Sequence, residues 1–282
     1  MKFRRIIAIS RYRFWIYELG PYALGAFAAT PNLTALLHWR VLLFALFFLF
    51  SANLYIYGIN DMFDYETDIK NPRKVNYEAL VKPEEWKSLS WWIVAVVTPF
   101  LLFLPFHNNW ALISMVLFFF FAGFYSAKPI RAKAKPFFDS IFSAGHYVAT
   151  GAFSYYLLGG VGVPVYPLLA AMAWSIAMHA YSAVPDIESD RSAALPTIAT
   201  TLQKQKTLVL CLLLYIVSGI LLYPYVGIVS LILMFVYAVL MIASIRIQTD
   251  EKLLHLYTYF PYINATSGMV IFFSILLSRF PL

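Results

Sequence analysis

Charge is what this sequence has least of. Only 12% of its 282 residues are Asp, Glu, Lys or Arg, whereas 61% are hydrophobic. A soluble domain carries roughly 25% charged residues, so a water-facing globular fold is excluded. A single cysteine, Cys211, rules out an intrachain disulfide; in the middle of an apolar run it reads as a small buried apolar residue. The short alternating segments of a membrane β-barrel are missing, and a backbone without water must then satisfy itself as helix. The basic start (Lys2, Arg4, Arg5) leads into no short apolar stretch with a small-residue cleavage site, so the first span is expected to stay in the mature protein. The +7 net charge accompanies neither a soluble domain nor a nucleic-acid-binding motif, which argues against a nucleic-acid partner.

What remains is an all-α, polytopic membrane protein of about nine transmembrane helices around a central cavity. Apolar runs long enough to cross roughly 30 Å of hydrocarbon are read at 14–36, 39–59, 90–107, 109–127, 137–159, 164–184, 206–223, 225–245 and 257–278. Of the 21 Lys and Arg residues, 19 precede the first span or lie in alternate loops, and only Arg40 and Arg279 lie at the other edge. The positive-inside rule therefore predicts a cytoplasmic N-terminus and cytoplasmic long loops, as in a multi-pass protein of the plasma membrane, with some attraction to anionic lipid. Residues 1–282 read as one domain, in which two four-helix halves are followed by a ninth helix.

The acids are as unevenly placed as the bases. Asn60, Asp61, Asp64 and Asp68 close the second span in NDMFDYETD, and Asp186 and Asp190 follow the sixth in DIESD. Spacings of three, four and seven bring such carboxylates onto one helix face. Like charges there oppose the helix, and carboxylates dipping into the membrane cost more, about 2.5–3.5 kcal/mol each at the centre. Two such clusters at equivalent span ends imply a bound cation. All-oxygen ligands favour Mg2+ or Ca2+, and Mg2+ takes one or two carboxylates plus substrate phosphates. Two facing clusters suit a diphosphate bridged by two Mg2+ ions. Lys128, Arg131, Lys133 and Lys135 in YSAKPIRAKAKP, with Arg11, Arg73 and Lys74, add a basic complement. Such groups grip phosphate oxygens, although cytoplasmic loops are basic in any case.

These residues resemble the UbiA superfamily of intramembrane prenyltransferases. Asn60, Asp61, Asp64 and Asp68 match its N-D-x-x-D-x-x-x-D motif, Asp186 and Asp190 its D-x-x-x-D motif, and Tyr125, Ser126, Arg131 and Lys133 its Y-S…R-x-K pattern. YGINDMFDYETDIKNPRK, YSAKPIRAKAKPFFD and DIESDRSAALPTIAT look closest to the lycopene elongase branch, which adds five-carbon units on the route to fifty-carbon carotenoids. Ser189, where many members have Gly, and the NPRK that follows the first motif point the same way. The resemblance implies that Asn60, Asp64, Asp68, Asp186 and Asp190 hold Mg2+ on a prenyl diphosphate, with Asp61 behind them. It implies that Asn60, Arg11, Arg73, Tyr125 and Lys133 bind the diphosphate and Tyr181 lines the cavity near the forming cation. Catalysis would fall to Arg11, Asp64, Lys133 and Asp186.

The reaction implied is ionisation of the allylic C–O bond, with metal and basic groups taking up the leaving charge, in a cavity kept dry by its position. Aromatic faces stabilise cations, and the chain has 25 Phe, 20 Tyr and 7 Trp. A lipophilic acceptor, with a carotenoid favoured, then attacks, and loss of a proton or addition of water ends the step. Asn53, His146, His179 and Glu18 could be the base or simply helix-to-helix hydrogen bonds, and His179, seven residues before Asp186 on nearly the same face, is the better cavity candidate. Two other readings stay open. An aromatic or quinone precursor would use the same diphosphate chemistry, and intramembrane acids also mark cation transporters, though those sites usually lie near the midplane. A membrane-protein partner is compatible with the sequence.

Overall fold

A computed structural model of the chain describes residues 1–69, 80–106 and 108–280. Every regular element among them is helical. They form two compact units, residues 1–132 with 145–161 and residues 133–144 with 162–282.

The first unit contains α1 (Phe3–Ile9), α2 (Ile16–Ala29), α3 (Trp39–Leu46), α4 (Ala52–Asp68), α5 (Trp86–Leu101), α6 (Asn109–Ser126) and most of α7 (Phe138–Leu157). One wide π-turn, Phe47–Ser51, joins α3 to α4 without a break. A π-turn leaves carbonyls without helical partners, and the Asn53 amide donates to Phe48 O and Leu49 O at 3.0 and 3.1 Å. Asn53 thus repairs the helix that carries the first acidic motif. Around the turn Phe44, Phe47, Phe48, Phe118 and Phe153 are fully buried, packed edge to face with centroids 4.8 Å apart for Phe44–Phe153 and 5.3 Å for Phe48–Phe118. In lipid such fit matters more than hydrophobic burial, because the tails are equally apolar.

The close approach of α2 to α7 needs glycine. A Cβ on Gly25 would fall onto the Gly151 carbonyl and the Ser154 hydroxyl, and a backbone carbonyl cannot give way as a side chain can. Gly25→Ala is therefore expected to lower stability by about 3 kcal/mol, the upper end of the usual overpacking cost; a Tm in detergent equal to wild type would refute this packing.

A clip holds the start of this unit. The Arg5 guanidinium donates to both Glu85 oxygens at 2.8 and 2.7 Å and to Leu80 O at 2.8 Å. The hydrogen bond from Arg5 holds the Glu85 carboxyl below its ordinary range. A depressed carboxylate stabilises the fold above its unfolded pKa, and the effect disappears as pH falls through the folded value. With side chains 35% and 28% exposed, the pair contributes at most about 1 kcal/mol. Glu85→Gln should lower Tm slightly at pH 7, and the difference should vanish as pH falls through the depressed folded pKa of Glu85.

The second unit holds the first turns of α7, then α8 (Val165–Ala183), a 3-10 turn (Val184–Asp186), α9 (Ile187–Ser192), α10 (Ile198–Val226), α11 (Ile228–Arg246), α12 (Asp250–Tyr257) and α13 (Phe260–Arg279). The turn between α10 and α11 is made at Gly227, whose φ of 58° a side chain would strain. Cys211 is buried, with its thiol 3.4 Å from Ala177 O on α8, the packing role expected of it.

Six helical stretches among the described residues are long and apolar enough to cross a membrane: Trp39–Glu66, Asn109–Ser126, Val165–Ser192, Ile198–Val226, Ile228–Arg246 and Asp250–Arg279. The other expected spans, 14–36, 90–107 and 137–159, overlap α2, α5 and α7, with 14, 16 and 20 residues, and α5 begins at Trp86, four residues before its expected span. At 1.5 Å per residue α2 reaches only about 21 Å, and α7 carries Asp139, His146 and several hydroxyls along its length.

Candidate active site

The first acidic motif occupies the last turns of α4, where Asp61, Asp64 and Asp68 are 6%, 1% and 8% exposed. Three carboxylates this buried would be very costly without cations, and two arginines face them. Arg11 Nη2 donates to Asp61 Oδ1 at 2.7 Å while its guanidinium lies 4.5 Å from the Tyr57 ring centre. Arg131 Nη2 lies 3.9 Å from Asp64 Oδ1. Both arginines have left-handed backbones, φ 51° and 45°, a conformation uncommon outside glycine that costs about 1–3 kcal/mol and concentrates at functional sites. Asn60 Nδ2 donates to Ser126 Oγ at 2.8 Å. This uses the amide's donor side and keeps its oxygen, the hard-ion ligand, for another partner. Tyr125, beside Ser126, is half-buried.

In the second unit, Asp186 ends the 3-10 turn after α8 and Asp190 lies one turn on, in α9. Ser189 Oγ donates to Asp186 O at 2.9 Å, and Thr197 Oγ1 to Asp190 Oδ2 at 3.4 Å. Lys133, 8% exposed, is within electrostatic reach of Asp190, as are Asp186 and Asp139. Asp139 fixes the backbone here by accepting from Ile198 N and Ser140 N, both at 2.8 Å. His179 Nδ1 lies 3.0 Å from Ser140 Oγ. Tyr181 is fully buried, with its hydroxyl 3.0 Å from Ser244 Oγ and its ring against Phe260 at 4.8 Å. Arg73 lies outside the described residues.

Among the described residues no three His, Cys, Asp or Glu side chains gather into a group able to hold a metal by themselves. That donor set still suits Mg2+, which keeps waters and borrows phosphate oxygens rather than using an all-protein cage.

The model of the UbiA prenyltransferase family matches residues 19–260. The chain belongs to this family. Among curated proteins it is 33% identical over 272 residues to a lycopene elongase/hydratase of Halobacterium salinarum, covering 95% of each chain. It is 32% identical over 269 residues to a lycopene elongase/hydratase of Haloferax volcanii, covering 94% of this chain and 86% of that one. Among solved structures, a UbiA homolog from Archaeoglobus fulgidus bound to DMAPP and Mg2+ superposes with a TM-score of 0.70 at 20% identity, over 97% of this chain and 99% of that one. The chain is thus a prenyltransferase similar to the lycopene elongase/hydratases.

Within this UbiA fold the sequence brings Asn60, Asp61, Asp64 and Arg11 together in one unit, and Asp186, Asp190 and Lys133 in the other. The sequence placed Arg131 among the phosphate-gripping bases and Ser126 in the Y-S pattern without their partners Asp64 and Asn60, and Asp139 and Thr197 were missed as supports. Thr197 was readable as an N-cap, a threonine just before an apolar run, and it forms reciprocal hydrogen bonds with Thr200. Asp139 was not, since its partner is a backbone amide fifty-nine residues away.

Proposed function

We propose that this chain transfers a dimethylallyl group from its diphosphate to the terminal double bond of lycopene or a related carotenoid, with Mg2+ as cofactor. The observation that carries this is the set of buried, arginine-faced carboxylates on α4, together with curated relatives named lycopene elongase/hydratase. Asn60, Asp64, Asp68, Asp186 and Asp190 would hold Mg2+, two ions on one diphosphate, and these would take up the charge that develops as the allylic C–O bond breaks. Arg11, Arg73 and Lys133 bind and neutralise diphosphate oxygens. The Arg11–Asp61 ion pair, braced on the Tyr57 ring, positions that guanidinium. Tyr125 orients the diphosphate, and the Tyr181 ring stands behind the cation. The chain works as one domain of nine spans. Its N-terminus and the loops bearing both acidic clusters lie on the cytoplasmic side of the plasma membrane, a reading supported by the Lys and Arg distribution. A further membrane protein could hand over the carotenoid.

The test is a product-mass assay in liposomes with dimethylallyl diphosphate, lycopene and Mg2+. Metal-dependent gain of one or two five-carbon units, as alkene or alcohol, is expected. Transfer onto an aromatic acceptor but not onto lycopene would overturn the carotenoid assignment, and no diphosphate release with any acceptor would overturn the enzyme reading.

A further inference from the structure

One buried ionisable group in the first unit has no part in binding a diphosphate. Glu18, one turn into α2, is 1% exposed. Its two oxygens have separate partners on α7: His146 Nδ1 lies 2.6 Å from Oε1, and Thr150 Oγ1 donates to Oε2 at 2.8 Å. A carboxylate only accepts, so Nδ1 is the donor, and in the neutral ring the lone pair then lies at Nε2. Nε2 makes no hydrogen bond among the described residues, and the imidazole keeps 7% of its surface accessible.

Helix-to-helix glue does not require this arrangement. The Gly25–Gly151 contact already brings α2 onto α7, and a neutral pair would bridge them without burying a carboxylate, an expensive group in a membrane span. The surroundings also point towards a cation. The His146 ring lies 4.1 Å from that of Tyr147. Tyr17, Tyr57 and Tyr125 are within electrostatic reach of Tyr147, and all four tyrosines are only half-buried. Tyr57 in turn carries the Arg11 guanidinium. Aromatic side chains thus lie both beside the imidazole, at Tyr147, and beside the Arg11 guanidinium, at Tyr57, within one unit.

We propose that His146 is the base that ends the transfer, with Glu18 as its positioning residue and counter-charge. This inference rests on the prenyl transfer proposed above. When the dimethylallyl cation bonds to the terminal alkene, the positive charge moves to an acceptor carbon. A C–H bond beside that carbon breaks, its electron pair becomes the new double bond, and the proton goes to Nε2. In the hydration outcome a water oxygen bonds to the same carbon and gives a proton to Nε2. The imidazolium is balanced by Glu18, and the proton leaves to water after the product does. Overall, diphosphate, the prenylated product and one proton are released in either outcome, with one water consumed in the hydration case.

The experiment measures diphosphate release and carotenoid product together, in liposomes with dimethylallyl diphosphate, lycopene and Mg2+. A general base contributes typically 10²–10⁴-fold. His146→Ala is thus expected to lose about 10²-fold or more of carotenoid formed per diphosphate released, with the donor diverted to the five-carbon alcohol, and added imidazole should restore part of the ratio. Glu18→Gln keeps the shape and the Thr150 bond, so it should fold and shift the ratio in the same direction by a smaller factor. His146→Asn provides the same readout if the alanine variant does not fold. Folded variants with the wild-type ratio of carotenoid to five-carbon alcohol would overturn the role of the dyad while leaving the transferase reading intact. A wild-type protein that releases no diphosphate would overturn both.

Discussion

Replacing Asp64 or Asp186 with alanine is expected to reduce prenyl transfer by about 10³-fold while leaving the protein folded. The magnitude follows from the chemistry assigned to these carboxylates. Metal-borne stabilisation of a leaving group amounts to several kcal/mol, and about 4 kcal/mol is a factor of about 10³ in rate. The stability effect has the opposite sign to a packing loss. The Asp64 side chain is fully buried, with the 34% exposed Arg131 guanidinium at 3.9 Å, so replacing it removes a carboxylate that is costly to desolvate. The Asp64→Ala variant should then melt no lower than wild type, the pattern seen where function is held at the expense of stability. Because both clusters are assigned to one diphosphate, the double variant should fall little further than either single one, as happens for residues that act as a unit. The measurement is kcat/KM for diphosphate release at saturating Mg2+, with Tm recorded on the same preparations. Wild-type turnover in a folded Asp64→Ala protein would remove this residue from the metal site, and a large loss of Tm would recast it as a structural acid.

How far the sequence could be read depended on how local each interaction was. The acidic motifs were legible because their spacing on one helix face is a property of the helix itself, and the structure places Asp61, Asp64 and Asp68 together in the last turns of α4. The helical class was legible from the apolar runs, as the absence of strands among the described residues agrees. Asn53 and Glu18 were not, although the sequence marked both as polar residues inside spans. The role of Asn53 depends on the π-turn at Phe47–Ser51, which no hydrophobic periodicity reveals. That of Glu18 depends on helices 128 residues apart in sequence for its contact with His146, brought close by Gly25 and Gly151. Arg11 lay between these cases: its family motif suggested a phosphate contact, while the left-handed backbone and the bond to Asp61 appear only in three dimensions.

Arg11 is also where function and stability can be separated most sharply. Arg11→Gly should lower kcat/KM for diphosphate release by about 10²–10³-fold, the usual effect of removing one preorganised donor from developing negative charge. Two stability terms accompany it. Glycine relieves the left-handed strain at φ 51°, worth about 1 kcal/mol or more. Against this, the 2.7 Å ion pair of Arg11 with Asp61, which is 6% exposed, is lost, and breaking a buried pair costs up to about 3–5 kcal/mol. The second term is larger, so the single variant melts lower than wild type. Adding Asp61→Asn removes the buried charge while glycine keeps the strain relief, so Arg11→Gly/Asp61→Asn should recover most of the lost Tm and none of the lost activity. Recovery of both would make Arg11 a structural counter-ion to Asp61. Recovery of Tm alone assigns its guanidinium to the diphosphate.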